Sequence, residues 1–451
     1  MRILIVAYDY PPTQSPRALR WRYLTRELAL LGHEVHVLVP DLGEPGIDLP
    51  QEPGRIVVHR SFPGPFGWIV GAGNRRRSEY REGEGGSSVV PGAARLNWRG
   101  RLVDSAKRIA GLALFPDVRV EWTPWARRAL SKLLKDIDPD VVVTSHEPAS
   151  TLPLGMYAQR FGFTWVADLG DPVCAAYTPR RWRKRALELE ARVSALADRV
   201  VVTNEATREL LIERHGQDPH RCAVLPNGYD DRRVREGLEE TSTVSFDDDR
   251  LELVYAGRLY GYRDPMPLLR AVADSPGVRL TLVVPDPPSG NDAAAMSAAA
   301  GDRLRILGLL PHAQVQRMME RADVLVNFGD QGQPVRTPAK LFEYFGFDRP
   351  ILHVHMDGAE AAAGLLRGMR RGWLCTDDAG ALTALLADLR ERKRTGRLHQ
   401  GLSLAPLTDY AHSTLGRRLE ALLSASITEA GKPGRDNVSC SHPSNQDQDP
   451  S

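Results

Sequence analysis

RILIVAYDYPPTQSPRALRWRYLTRELALLGHEVHVLV, residues 2–39, passes through three patterns in succession. Ile3 to Ala7 is a continuous, β-rich apolar run, and Tyr8-Asp9-Tyr10-Pro11-Pro12 cannot prolong it, so a loop begins there. From Arg17 the residues Leu19, Tyr23, Leu24, Leu28 and Leu31 recur at helical spacing, with Gly32 at the C-cap position. Glu34 to Val39 reads as a second strand. Strand, helix and strand in so short a span form a βαβ unit, whose right-handed crossover implies a parallel sheet.

The same grammar continues outward. Strands are expected at Arg55 to His59, Val141 to Thr144, Trp165 to Asp168 and Arg199 to Thr203. The second half repeats it, with strands at Leu251 to Ala256, Arg279 to Val284, Arg305 to Leu307, Val324 to Phe328 and Pro350 to His353. Helices are expected between them at Pro265 to Asp274, His312 to Ala322 and Ala339 to Gly346. The fold class is therefore α/β, with two facing Rossmann-like parallel-sheet domains and ligands at the carboxyl ends of both sheets. The boundaries fall at 1–229 for the first domain, with a basic insertion at about 68–120, and 230–249 for a polar linker. The second domain spans 250–405, a last helix 406–425 returns toward the first domain, and a polar tail, 426–451, is expected to be disordered.

Composition excludes several classes. The chain has 451 residues, 59 Lys plus Arg against 57 Asp plus Glu, and a formal charge of +2. Neither a nucleic-acid coat nor an acidic scaffold has that balance. Cys174, Cys222, Cys375 and Cys440 are too few and too scattered for a disulfide framework, and no C-x-x-C pair offers a metal or redox site. The opening apolar run is too short for a secretory h-region, and Ile109 to Phe115 is too short to span a bilayer. A cytoplasmic protein is expected, with any membrane contact peripheral, on the inner face.

Several motifs carry a family resemblance. In the first domain they are Tyr10-Pro11-Pro12 with Arg17, Leu31-Gly32-His33-Glu34-Val35-His36-Val37-Leu38, and Asp138-Pro139-Asp140 running on to His146-Glu147-Pro148. Trp165-Val166-Ala167-Asp168-Leu169-Gly170-Asp171-Pro172 and Leu225-Pro226-Asn227-Gly228-Tyr229-Asp230 continue the set. Tyr255-Ala256-Gly257-Arg258-Leu259-Tyr260 and Thr337-Pro338-Ala339-Lys340-Leu341-Phe342-Glu343-Tyr344 follow in the second domain. In this order they resemble the GT-B-fold retaining glycosyltransferases of family 4, of the bacterial surface-polysaccharide or natural-product branch.

The resemblance implies transfer of a sugar from a nucleotide-diphosphate-sugar to an acceptor nucleophile with retained anomeric configuration. It makes the second domain the donor side and the first the acceptor side. His146, Arg258 and Lys340 are then the catalytic candidates, with Arg263, Thr337, Leu341 and Glu343 on the donor. Tyr10, Arg17 and Asp171 are candidates for the acceptor. The residues also speak for themselves: a diphosphate needs cations, which Arg258, Arg263 and Lys340 supply, and main-chain N–H groups, which the Thr337–Ala339 loop entering a helix supplies. Glu343 stands where the family's ribose-binding glutamate stands, while the partner glutamate eight positions earlier is replaced by Val335. Ser15 before Pro16 reads equally as a helix cap, and Asp171 before Pro172 equally as a turn.

With lysine and arginine serving the diphosphate, no metal or other cofactor is required, and the pairs Asp230-Asp231 and Asp377-Asp378 and the run Asp247-Asp248-Asp249 read as linker or turn. Gly71-Ala72-Gly73 lacks the third glycine of a dinucleotide fingerprint. Between Asn74 and Arg108 nine cations face four acids beside Trp98, a balance that suits an anionic membrane surface or a solvated loop. The expected partners are a nucleotide sugar and a small-molecule or lipid-linked acceptor, not a nucleic acid. A sugar-nucleotide epimerase of the same fold and a catalytically inactive nucleotide-sugar-binding module are the alternatives.

Overall fold

The computed structural model describes residues 1–13, 15–43, 55–69, 71, 114–232, 244–259, 261, 263–284, 291–330, 335–355 and 360–431. The basic stretch from Asn74 to Arg108 and the tail beyond residue 431 lie outside them.

The first sheet contains β1 (Arg2–Val6), β2 (Glu34–Pro40), β3 (Ile56–Ser61), β4 (Val141–Ser145), β5 (Thr164–Leu169), β6 (Arg199–Val202) and β7 (Cys222–Val224). Its order is β3-β2-β1-β4-β5-β6-β7, and every pairing is parallel. The second contains β8 (Leu251–Ala256), β9 (Val278–Val283), β10 (Leu304–Leu307), β11 (Val324–Phe328), β12 (Ile351–His355) and β13 (Gly372–Thr376). Its order is β10-β9-β8-β11-β12-β13, again parallel throughout. In each sheet the strand order reverses beside the first strand, at β1/β4 and β8/β11, the positions where such sheets open a ligand crevice.

Between the strands of the first sheet run α1 (Pro16–Leu30), α2 (Thr123–Asp136), α3 (Leu152–Arg160), α4 (Arg183–Leu196) and α5 (Glu205–His215). The second sheet carries α6 (Met266–Ala273), α7 (Asn291–Ala300), α8 (His312–Arg321), α9 (Ala339–Tyr344), α10 (Ala361–Arg367) and α11 (Ala379–Arg394), and α12 (His412–Glu429) ends the fold. Ser15 caps α1, its Oγ accepting from the Ala18 N–H at 3.0 Å, and Pro16 opens the first turn. The buried stripe of α1 is Ala18, Trp21, Leu24 and Leu28; the expected Leu31 lies at the C-cap, 42% exposed, because the chain turns away at Gly32.

Two boundaries shift. Val244, assigned to the linker, is buried against Val283 and Met318, so the second domain starts before residue 250; its apolar side chain finds a core there. The last helix runs to Glu429, past the expected end at 425, because Arg199 holds it: Nε donates to Ser426 Oγ at 2.9 Å and Nη2 to Glu429 Oε2 at 2.5 Å. Leu415, Leu419 and Leu423 of α12 join Ile3, Ile5, Trp21 and Leu28 in the first domain's core. Each buried leucine contributes about 2 kcal/mol. Gly416 faces Glu27 of α1 where a Cβ would collide, so this glycine sets how closely the two helices approach. The chain crosses between domains twice, side by side: the Tyr229 N–H donates to Tyr410 O and the His412 N–H to Tyr229 O, both at 3.0 Å.

Candidate active site between the two sheets

The carboxyl ends of both sheets face one cavity of about 480 Å³. On the first domain's side β5 delivers Asp168, a carboxylate with a relative exposure of 2%. Arg20 Nη2 meets its Oδ1 at 2.9 Å and Arg17 Nη1 its Oδ2 at 3.3 Å. Burial alone would raise the Asp168 pKa, but Arg20 and Arg17 outweigh it and hold it below the usual carboxylate range. Arg20 also donates to the carbonyls of Pro226 and Leu225, at 2.7 and 3.0 Å, fixing the loop that leaves the domain. Arg17 Nε donates to His146 O at 3.0 Å, and its Nη2 is buried with no hydrogen-bond partner among the described residues.

His146 follows β4 and is buried; burial, then the Arg17 charge, lower its pKa to about 4, so the ring is neutral at pH 7. The cavity wall at this strand end is the next residue, Glu147, in a left-handed conformation with φ 68°. Asp171, in the turn after β5, lies near the Glu147 carboxylate and accepts from Tyr177 Oη at 3.1 Å. Burial, then the Glu147 charge, raise the Asp171 pKa. Tyr10 does not reach this cavity: it packs in the core, its hydroxyl 3.0 Å from Thr25 Oγ1. The cis-linked Pro11-Pro12 turn follows it, and its ring is spent on packing. Its expected place at the acceptor is corrected accordingly.

On the second domain's side Lys340, from α9, is the main feature. Its Nζ lies 3.5 Å from the centroid of the Tyr255 ring and is buried without a hydrogen-bond partner among the described residues. Burial, then the neighbouring Arg263, push its pKa well below the usual lysine value. Gly257, just after β8, leaves the space this ammonium occupies, since a Cβ there would collide with Nζ. Arg258 is exposed and lines the cavity, as does Thr337. Arg263 also lines it but is already engaged: its guanidinium grips Asp330 with Nε on Oδ1 and Nη2 on Oδ2, and Nη1 donates to Arg258 O at 3.3 Å.

Glu343 lines the same wall with Oε1 3.0 Å from His312 Nε2. Leu341 does not: its side chain is fully buried in the core and its N–H donates to Pro338 O at 3.0 Å, so neither group is offered to a donor. The correction follows from the helix period, which turns Lys340 and Glu343 to the cavity and Leu341 to the sheet. Arg336 crosses the cleft, with Nε 3.3 Å from Asp171 Oδ2 and Nη1 3.6 Å from Asp330 Oδ2.

Sequence reasoning missed Arg20, Glu147, Asp168, Asp330 and Arg336 as site residues. Asp330 stands two residues after β11, at the strand order's reversal, and that position could have been singled out. Among the described residues no group of three or more His, Cys, Asp or Glu side chains is placed to hold a metal ion, and no helix is long and apolar enough to cross a membrane.

Comparison with known proteins adds to this geometry. Residues 88–233 match the profile of Glycosyltransferase Family 4. A D-inositol 3-phosphate glycosyltransferase of Rhodococcus erythropolis is 35% identical over 111 residues, 23% of this chain and 25% of that protein. The alignment thus spans about a quarter of that relative's length. Among solved structures, Anabaena Alr3699/HepE in complex with UDP and glucose superposes with a TM-score of 0.60 at 14% identity, over 94% of this chain and 100% of that one. The sucrose-phosphate synthase of Thermosynechococcus elongatus gives 0.61 at 16%, over 96% and 98%. The chain has the GT-B fold, and the resemblance to family 4 read from its motifs is borne out.

Proposed function

We propose that this GT-B protein with its family 4 segment is a glycosyltransferase that moves a sugar from a nucleotide-diphosphate-sugar to an acceptor hydroxyl with retention of configuration. One observation carries the reading: a fully buried lysine ammonium without a hydrogen-bond partner among the described residues, on the wall of the interdomain cavity. An isolated buried cation is costly unless an anion meets it, and a diphosphate is such an anion. Lys340 and Arg258 contact the leaving diphosphate, with Arg263 held beside them by Asp330. Thr337 hydrogen-bonds the phosphate, and Glu343 accepts from the nucleoside.

The bond between the anomeric carbon and the diphosphate oxygen breaks while the acceptor oxygen bonds to the same face of that carbon. The acceptor proton passes to the departing phosphate oxygen. Charge grows on the diphosphate, and preorganised cations in a water-poor site stabilise it most strongly there. Neutral His146 supports the acceptor-side wall from behind Glu147. Arg17 and Asp171 face the acceptor, and the cations take the place of a metal ion. The Anabaena neighbour holds UDP and glucose, which makes UDP-sugars the first donors to try.

The test is thermal melting with UDP, GDP, dTDP and CDP and their sugar conjugates, on the wild type and on Lys340→Ala. A ligand at 100 times its Kd adds about 2.7 kcal/mol of stability. A selective shift lost in the variant is expected, together with a turnover loss of about 100-fold. Wild-type turnover in Lys340→Ala ends the assignment. Anomeric coupling in the product reads retention, and activity in excess chelator reads independence of metal.

A further inference from the structure

A second chamber of about 920 Å³ adjoins the first. Asp171 and Arg336 line both, so their 3.3 Å ion pair is the partition between them. Tyr177, Leu187, Ala191 and Leu210 line it from the first domain and Val335 from the second. Tyr177 is 50% exposed and Leu187 38%, large apolar surface turned toward an open volume rather than a core.

The rim is charged. Arg180-Arg181-Trp182-Arg183-Lys184-Arg185 puts five cations, and no acid, at the start of α4. Arg183 lines the chamber, and Lys184 lies one turn before Leu187 and Glu188, on the same side of the helix. Among the described residues Arg183 donates only to the carbonyls of Thr178 and Ala176, and Arg185 lies 4.6 Å over the Phe115 ring. None of Arg180, Arg183, Lys184 and Arg185 has a carboxylate partner among the described residues, whereas Arg214 on the opposite wall is neutralised by Glu190 at 3.2 Å. An apolar chamber that carries Arg183, without a carboxylate partner among the described residues, and the single acid Glu188 at its mouth, and that meets the candidate reaction cavity at the Asp171–Arg336 pair, suits one kind of small molecule.

We infer that the second chamber holds the apolar body of an amphipathic acceptor, and that Arg183 and Lys184 at its mouth hold an anionic group, of the phosphate-ester type, on that same molecule. The inference rests on the transferase reading of the first cavity. The acceptor's nucleophile passes the Asp171–Arg336 pair to meet the donor.

Isothermal titration of the full chain with octyl phosphate tests this, with inorganic phosphate and octanol as comparisons. Octyl phosphate is expected to bind at least tenfold more tightly than either. Leu187→Glu, Ala191→Trp and the double substitution Arg183→Glu with Lys184→Glu should each weaken it at least tenfold, while stabilisation by the nucleotide stays at the wild-type level and certifies the fold. Undiminished binding in the wall and rim variants, or equal affinity for inorganic phosphate, overturns the inference and leaves the transferase reading standing. Octyl phosphate binding without any nucleotide response overturns the transferase reading instead. Displacement of octyl phosphate by dodecyl phosphate held in phosphatidylcholine vesicles assigns a membrane-borne acceptor; displacement only by soluble esters assigns a free one.

Discussion

The two walls of the interdomain cavity are both rich in charge, and they spend it differently. The first domain lines it with Arg17, Arg20 and Arg119 against Asp9, Glu147, Asp171 and Asp230, and its buried arginines are tied to acids: Arg17 and Arg20 to Asp168, Arg26 to Asp230. The second lines it with Arg258, Arg263, Arg336 and Lys340 against Glu343, holds Arg263 and Arg336 on Asp330 behind the wall, and leaves the Lys340 ammonium without a hydrogen-bond partner among the described residues. A wall with its charges internally compensated holds a shape; a wall with an uncompensated buried cation stores a demand for an anion.

The largest effect of breaking the first wall is expected on stability. Asp168→Ala strands two buried guanidinium groups, and urea unfolding should lose about 3–5 kcal/mol while a nucleotide still raises the melting temperature of the remaining folded protein. Unchanged unfolding would mean that water or rearrangement satisfies both arginines and that the wall is not preorganised.

On the second wall the effect should appear in proton balance. The Lys340 pKa is depressed in the free protein by burial and then by Arg263, and a bound diphosphate raises it again. Binding therefore takes up a proton at pH values between the two, and affinity falls as pH rises through that window, by at most about 1.4 kcal/mol per pH unit. Calorimetry in buffers of different ionisation enthalpy measures the uptake, and Lys340→Met should abolish it. Binding with no proton exchange in the wild type would show that the ammonium is already fully charged.

The smallest effect belongs to Glu343 and His312. Burial lowers the His312 pKa, but the hydrogen bond and charge of Glu343 outweigh it and the folded-state pKa is raised. The pair thus stabilises the protein below the ordinary histidine pKa and loses that contribution as pH rises through the raised value. His312 is partly open to solvent, 43% exposed, so the pair is worth about 0.5 kcal/mol. Glu343→Gln should flatten the dependence of the melting temperature on pH, from the ordinary histidine pKa upward, by about one or two degrees; an unaltered pH profile would detach the pair from stability.

The strands were legible because parallel strands buried on both faces read as unbroken apolar runs, as at Ile3 to Val6 and Val324 to Phe328. β7 and β13 were missed for the opposite reason: Cys222–Val224 is three residues long, and Gly372–Thr376 begins with glycine and is only partly buried. At the cavity, Lys340 and Arg258 were legible as cations within a motif, and both line it. Tyr10 and Leu341 were placed wrongly because a motif names positions along a chain, whereas the direction of a side chain depends on the loop or helix turn that carries it. Asp168 and Asp330 were passed over since their meaning lies in partners 148 and 67 residues away.

What the sequence by itself determined is the alternation of buried runs and amphipathic helices, hence two parallel sheets, and the supply of cations at the strand ends of the second. Only the tertiary structure decided which of those cations are spent. Arg263 is closed on Asp330, Arg336 spans to Asp171, and Lys340 is left in the space beside Gly257. The physical reason is range: hydrophobic periodicity is local and survives in a linear string, while the compensation of a buried charge depends on whatever the fold brings within a few ångströms of it.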